Sequence, residues 1–144
     1  MTPQRVTLIT LGVAELGKAK AFYAALGWRE NGAQEGVAFY QMHGAVLALF
    51  GKADLAADQG RPDAALGTGA MTLAQNFVTE ADVDAAWEAA LAAGATPLKK
   101  PEKVFWGGYS GYYADPDGHV WEIAMNPFWP LQADGSLTLP GGEG

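Results

Sequence analysis

The chain has 144 residues, of which 49% are hydrophobic and only 17% charged, a balance that fits one globular domain of ordinary size. Nine basic against sixteen acidic side chains give a net charge of −7, which repels nucleic acid and anionic membrane surfaces and keeps the protein soluble. The absence of cysteine excludes disulfides, thiolate metal sites and cysteine nucleophiles.

In chain order, Met1 to Arg5 shows no leader pattern, and no apolar run approaches the roughly 20 residues of a membrane span. A cytoplasmic protein is expected. Val6 to Leu11 reads as a buried strand, because it is β-branched and apolar throughout. Glu15 to Leu26 carries Leu16, Ala19, Phe22, Tyr23 and Leu26 at helical spacing, and Gly27 stands where a left-handed C-cap is needed. Trp28 and Arg29 are expected to open a short strand. Val37 to Met42 and Ala45 to Phe50 form two more, joined by a tight turn at His43-Gly44. Residues 52–68 read as a linker, with one helical turn near Ala53 to Asp58.

The pattern then begins again. Ala70 to Phe77 is a strand. Thr79 is an N-cap followed by Glu80 and Asp82, acids that the helix dipole favours. The helix runs to about Ala93, buries Val83, Trp87, Ala90 and Leu91, and ends at Gly94. Thr96 to Leu98, Gly108 to Ala114 and His119 to Ala124 are strands, the last two joined by the turn Asp115-Pro-Asp-Gly118. Val6-Thr7-Leu8 lies on Met71-Thr72-Leu73, Phe22 on Trp87 and Leu26 on Leu91 at one offset. Gly44 to Leu49 lies on Gly118 to Ile123 at a slightly longer one. Such a repeat signals a duplicated strand–helix–three-strand module. Module one covers about 5–51, module two about 69–126, and an arm of 127–144 follows, all within one domain of 1–144. In the arm, Leu137-Thr-Leu139 reads as a short edge strand before a frayed end.

Leu11-Gly-Val-Ala-Glu-Leu16 with Ala21-Phe-Tyr-Ala-Ala-Leu-Gly-Trp28, and Asp115-Pro-Asp-Gly-His-Val-Trp-Glu-Ile123, resemble the vicinal oxygen chelate superfamily. It includes glyoxalase I, extradiol dioxygenases and bleomycin-resistance proteins. The resemblance implies an α+β fold of two βαβββ modules, a cupped mixed sheet with helices on its outer face, and a homodimer. It also implies four positions that hold a divalent ion in metal-dependent members, through His, Glu or Gln. Carried over one by one they fall on Leu8, Ala48, Thr72 (Leu73 by the internal repeat) and Glu122. Leucine and alanine have no lone pair to donate, and one carboxylate holds a divalent ion poorly, so neither metal nor other cofactor is expected.

Glu122 is then a candidate base or cation-binding carboxylate, or a relic paired with a neighbour. Gln75 and Asn76 are adjacent on a strand, so one of them must face the cup. His43 and His119 sit in turns, where solvated surface histidines are usual. Trp28, Trp87 and Trp121 belong to the core by spacing and motif. Trp106 and Tyr109, among glycines, suggest an aromatic rim for a ligand, while Phe128 and Trp129 suit packing of the arm. Phosphate-loop, dinucleotide and nucleophile-elbow motifs are absent, and Ser110 and Ser136 offer poor material for a triad. The expected function is metal-free binding of a small aromatic or cationic molecule. Catalysis is left open: a metal-independent lyase or isomerase using Glu122 is the alternative, and a dimeric structural or regulatory module without ligand is the third.

Overall fold

The first strand, β1 (Leu8–Val13), is exposed at its start and fully buried over Leu11–Val13. It is followed by helix α1 (Leu16–Ala25), then β2 (Val37–Gln41), β3 (Val46–Gly51) and a short helix, α2 (Lys52–Asp58). The computed structural model describes residues 1–141 and separates them into two units, Met1–Gly67 and the segment from Thr68 onward. In the first unit the sheet order is β1-β3-β2, with β1 and β3 parallel and β2 and β3 antiparallel. Leu11, Val13, Tyr40, Leu47 and Leu49 are buried on one face. Helix α1 covers that face with Ala19, Phe22 and Tyr23. The ring of Tyr23 stacks on Trp28 at 4.9 Å, and both rings meet Tyr40. Burying each of these large side chains contributes roughly 1.5–3 kcal/mol.

The strand expected at Trp28-Arg29 does not form. Trp28 is instead drawn under α1 by its stack on Tyr23, and Glu30 pairs with Lys20 at 2.9 Å. Gly32 and Gly36 take positive φ and turn the chain away from an extended path. A bond from the Asn31 N–H to the Phe39 carbonyl at 2.7 Å ties this loop to the sheet. Where one helical turn was expected in the linker, α2 makes nearly two, and it packs on β1 and β3.

The second unit holds β4 (Thr72–Asn76), α3 (Glu80–Ala92), β5 (Thr96–Lys103), β6 (Tyr109–Ala114) and β7 (Val120–Met125), in the sheet order β4-β7-β6-β5. Thr79 caps α3 as its sequence suggests: its side-chain oxygen accepts from the Asp82 N–H at 3.1 Å, with Glu80 and Asp82 in the first turn. Val83, Trp87 and Ala90 of α3 are buried, as are Tyr113, Trp121 and Ile123 on the sheet face beneath. Strand β5 is much longer than the expected Thr96 to Leu98. It runs along the exposed edge with Pro97, Pro101 and three lysines, residues that discourage pairing with another chain. In the arm, Leu137 makes only an isolated antiparallel bridge to Leu131, and the end of the arm, 142–144, lies outside the described residues. The α+β class and its two mixed sheets agree with the expected modules.

Candidate functional site

The turn Asp115–Gly118 sets the geometry of the second sheet. Asp115 is buried, and its Oδ1 accepts from the N–H groups of Asp117 and His119, each at 2.9 Å. The Gly118 N–H closes the turn on the Asp115 carbonyl with φ +90°, a conformation that glycine takes without strain. This fixes β6 against β7 with Tyr112 opposite Glu122 and Ser110 opposite Ala124. Period-two alternation then puts Tyr112, Ser110 and Glu122 on the face away from α3, joined by Thr72, Ala74 and Asn76 of β4.

Glu122 is half-buried there, with Tyr112 directly opposite it across the β6–β7 pair. Burial first, then the charge of Glu122, raise the phenol of Tyr112 above its usual range. Tyr112 therefore stays a neutral donor at ordinary pH. Trp106 lies at the end of the same face. A side chain added at Gly108, in phase with Ser110 and Tyr112, would land on the Trp106 six-membered ring. Gly108 is thus the residue that lets the indole lie against the backbone.

Two expected site residues are placed elsewhere. Tyr109 is in phase with Gly111 and Tyr113, on the helix-covered face, and its hydroxyl donates to Asp84 Oδ1 of α3 at 2.7 Å. It ties α3 to the sheet and does not join Glu122. Gln75 pairs with the fully buried Ile123 and shares that same face, so of the adjacent amides only Asn76 lies with Glu122. Tyr112 was missed as a site residue, although counting outward from the Asp-Pro-Asp-Gly turn brings it opposite Glu122.

The two parallel pairs also settle which residue of β4 corresponds to Leu8. Leu8 lies beside Val46 and Thr72 beside Val120, so Leu8 corresponds to Thr72 and not to Leu73. Leu8 and Ala48 share the face away from α1 in the first sheet. That face is lined with hydrocarbon at its open end, where Leu8, Phe39 and Val46 join Thr7, Asn31 and Gln34 around a cavity of about 330 Å³. Leu8 and Ala48 offer no donor atom to a divalent ion, and in the second sheet Thr72 and Glu122 offer one hydroxyl and one carboxylate. Among the described residues no group of three or more His, Cys, Asp or Glu side chains could hold a metal ion. His119 takes part in the Asp115 turn through its backbone, and Ser110 is buried on β6. No helix among the described residues is long and apolar enough to cross a membrane.

Known proteins extend this picture. A glyoxalase-related enzyme from Fulvimarina pelagi is 41% identical in sequence, with a TM-score of 0.88 over 95% of this chain and 99% of that one. A hypothetical protein from Staphylococcus aureus shares the fold at 21% identity, with a TM-score of 0.74 over 88% of this chain and 96% of that one. An uncharacterized Mycobacterium bovis protein is 46% identical over 48 residues, 33% of this chain and 32% of its own length, so the match spans about a third of that relative. The sequence pattern of one family matches residues 5–123, and the chain therefore belongs to the Glyoxalase/Bleomycin resistance protein/Dioxygenase superfamily.

Proposed function

We propose that this protein binds a small aromatic or cationic molecule without a metal ion, on the face of the second sheet that carries Glu122. The observation that carries the reading is the pair Tyr112–Glu122. A carboxylate backed by a neutral phenol offers a cation a charged acceptor, and Trp106 at the end of that face offers a planar ring for stacking. Leucine and alanine at positions 8 and 48, where metal-dependent relatives carry ion ligands, support binding without a metal. The proposal includes a homodimer, on family analogy, and a cytoplasmic setting, on the lack of cysteine.

The test is thermal unfolding against a panel of planar aromatic cations and their neutral isosteres. A cation present at a hundredfold excess over its Kd should raise Tm by roughly 5–10 °C, saturably. Glu122→Gln should remove most of that rise while leaving Tm without ligand nearly unchanged. A panel with no saturable response, or a response that survives Glu122→Gln, would overturn the reading.

A second reading is favoured by the Fulvimarina pelagi relative, described as a glyoxalase-related enzyme. Glu122 would then move a proton to or from a bound substrate, in an isomerase or lyase reaction, with Tyr112 holding the carboxylate in place. Glu122→Gln should abolish such turnover with the fold intact, and retained turnover would dismiss the role.

A further inference from the structure

The chain has three asparagines and two Asp-Gly steps, and they differ in the state of one atom, the backbone nitrogen that follows. The side-chain carbonyl carbon of Asn or Asp can be attacked by that nitrogen, because the bond between them closes a five-membered ring. A nitrogen held in a hydrogen bond must first be released, and proline has no N–H to offer. Asn126 precedes Pro127, and its Oδ1 already accepts from the Phe128 N–H at 2.9 Å. Asn76 precedes Phe77, whose N–H donates to the Ala124 carbonyl at 2.7 Å. In the two Asp-Gly steps, the Gly118 N–H donates to the Asp115 carbonyl and the Gly135 N–H to the Gln132 carbonyl. Asn31 precedes Gly32, and among the described residues neither the Gly32 N–H nor the Asn31 carboxamide has a hydrogen-bond partner. Both residues are exposed, in the irregular stretch before β2. Gly32 has no Cβ to shield its nitrogen, and it sits at φ +71°, a conformation that glycine takes without strain.

We infer that Asn31-Gly32 is a site of spontaneous deamidation, with water as the co-reactant. The Gly32 nitrogen gives up its proton and attacks the Asn31 Cγ. The new N–Cγ bond closes a succinimide ring, the Cγ–Nδ2 bond breaks, and Nδ2 takes a proton and leaves as ammonia. Water then opens the ring. Opening at Cγ restores the ordinary backbone and leaves an aspartate side chain at position 31. Opening at the main-chain carbonyl runs the backbone through Cγ and leaves an isoaspartyl linkage with a free α-carboxylate. Nothing is oxidised or reduced: one carboxamide and one water become one carboxylic acid and one ammonia. Either product adds a negative charge to a chain already at −7. The charge arises next to Glu30, which Lys20 offsets at 2.9 Å. The isoaspartyl form also lengthens the backbone by one carbon, just past the Asn31 N–H bond to the Phe39 carbonyl that ties the loop down. Its α-carboxylate is the substrate class of methyltransferases that act on isoaspartyl groups.

The test is to age the full chain in mildly alkaline buffer, native and unfolded in guanidinium chloride, and to digest it with trypsin at intervals. The peptide from Glu30 to Lys52 has Asn31 as its one asparagine. The mass gain of amide-to-acid conversion should collect in that peptide, together with methyl groups taken up from an isoaspartyl-specific methyltransferase. In the native chain Asn31 should react at least about tenfold faster than Asn76, the factor that one backbone hydrogen bond corresponds to. Unfolding should change the Asn31 rate by less than about threefold, since no hydrogen bond has to break there first. Asn31→Gln moves the carbonyl one carbon farther from the nitrogen and should remove the signal from the peptide, and the native-to-unfolded ratio of the parent chain stands whether or not that variant folds. A native Asn31 protected more than about tenfold relative to the unfolded chain, a mass gain spread evenly over the three asparagines, or an isoaspartyl signal in that peptide that survives Asn31→Gln would overturn the inference. These readouts need no ligand, so they are untouched by success or failure of the Glu122 reading.

Discussion

The two sheets share a frame and differ in what they hang on it. β1 pairs with β3, and β4 with β7, in the same parallel register, so that Leu8 and Ala48 in one unit correspond to Thr72 and Glu122 in the other. In the first sheet these positions carry hydrocarbon and the fourth strand is replaced by an amide-bearing loop. In the second they carry a hydroxyl and a carboxylate, and all four strands are present. Backbone pairing constrains spacing and direction but not side chains on the uncovered face. A duplicated scaffold can therefore keep its hydrogen-bond ladder while its two halves present different chemistry, and the fold alone does not specify the ligand.

The helix-covered faces should prove more alike than the open ones, and the largest effects test this. Phe22 of α1 and Trp87 of α3 correspond in the repeat, and both are buried. Alanine at either should cost about 3–5 kcal/mol in urea unfolding, with little change in slope. A loss below about 1 kcal/mol at Phe22 would break the equivalence. It would mean that the Tyr23–Trp28–Tyr40 cluster holds α1 without it.

The hairpins give a middle-sized contrast. At Met42 to Ala45 the Met42 N–H bonds the Ala45 carbonyl and the exposed Gln41 side chain donates to the Met42 carbonyl, whereas the Asp115 turn has a buried carboxylate that accepts two N–H groups. Asp115→Ala should cost about 1–3 kcal/mol, because both donors lose their partner. Asp115→Asn keeps an acceptor oxygen and should recover more than half of the loss. If the two variants were equally destabilised, the negative charge rather than the acceptor geometry would be the stabilising feature.

Much of this frame is legible in the sequence. Thr79, Gly27, Gly94 and the Asp-Pro-Asp-Gly turn mark element ends by local chemistry, and local chemistry survives folding. What failed depends on side-chain and strand partners that local composition does not reveal. Trp28-Arg29 looks like a strand by composition, yet the Tyr23 ring takes Trp28 out of the ladder. Thr72 and Leu73 cannot be distinguished until β7 fixes the register. Tyr109 was grouped with Trp106 because both sit among glycines. Its side follows instead from Tyr112: three residues apart on a strand means opposite faces, and Tyr112 faces Glu122. The cavity at Leu8 had no sequence signal, since Asn31 and Gln34 belong to an irregular loop.

The smallest effect concerns how the second unit fastens its helix. The Tyr109 hydroxyl donates to Asp84, and this bond first, then burial and the charges of Asp84 and Glu80, push its ionisation up to about 12. The neutral phenol is thus favoured by the folded state, so the folded protein holds the Tyr109 proton to higher pH than the unfolded chain does. The stabilisation is whole below pH 10, the ordinary tyrosine value, and is lost as pH rises through about 12. Because the pair is largely exposed to solvent, its size should stay below about 1 kcal/mol. Tyr109→Phe should flatten the fall in stability between pH 10 and 12, and tyrosinate absorbance should show one fewer late-titrating phenol. In the first unit α1 leans on the stacked rings of Tyr23 and Trp28, and burial and Glu30 raise Tyr40 nearby. A Tyr109→Phe variant that kept the alkaline slope but lost cation binding would sharpen the contrast in the other direction, by returning Tyr109 to the ligand.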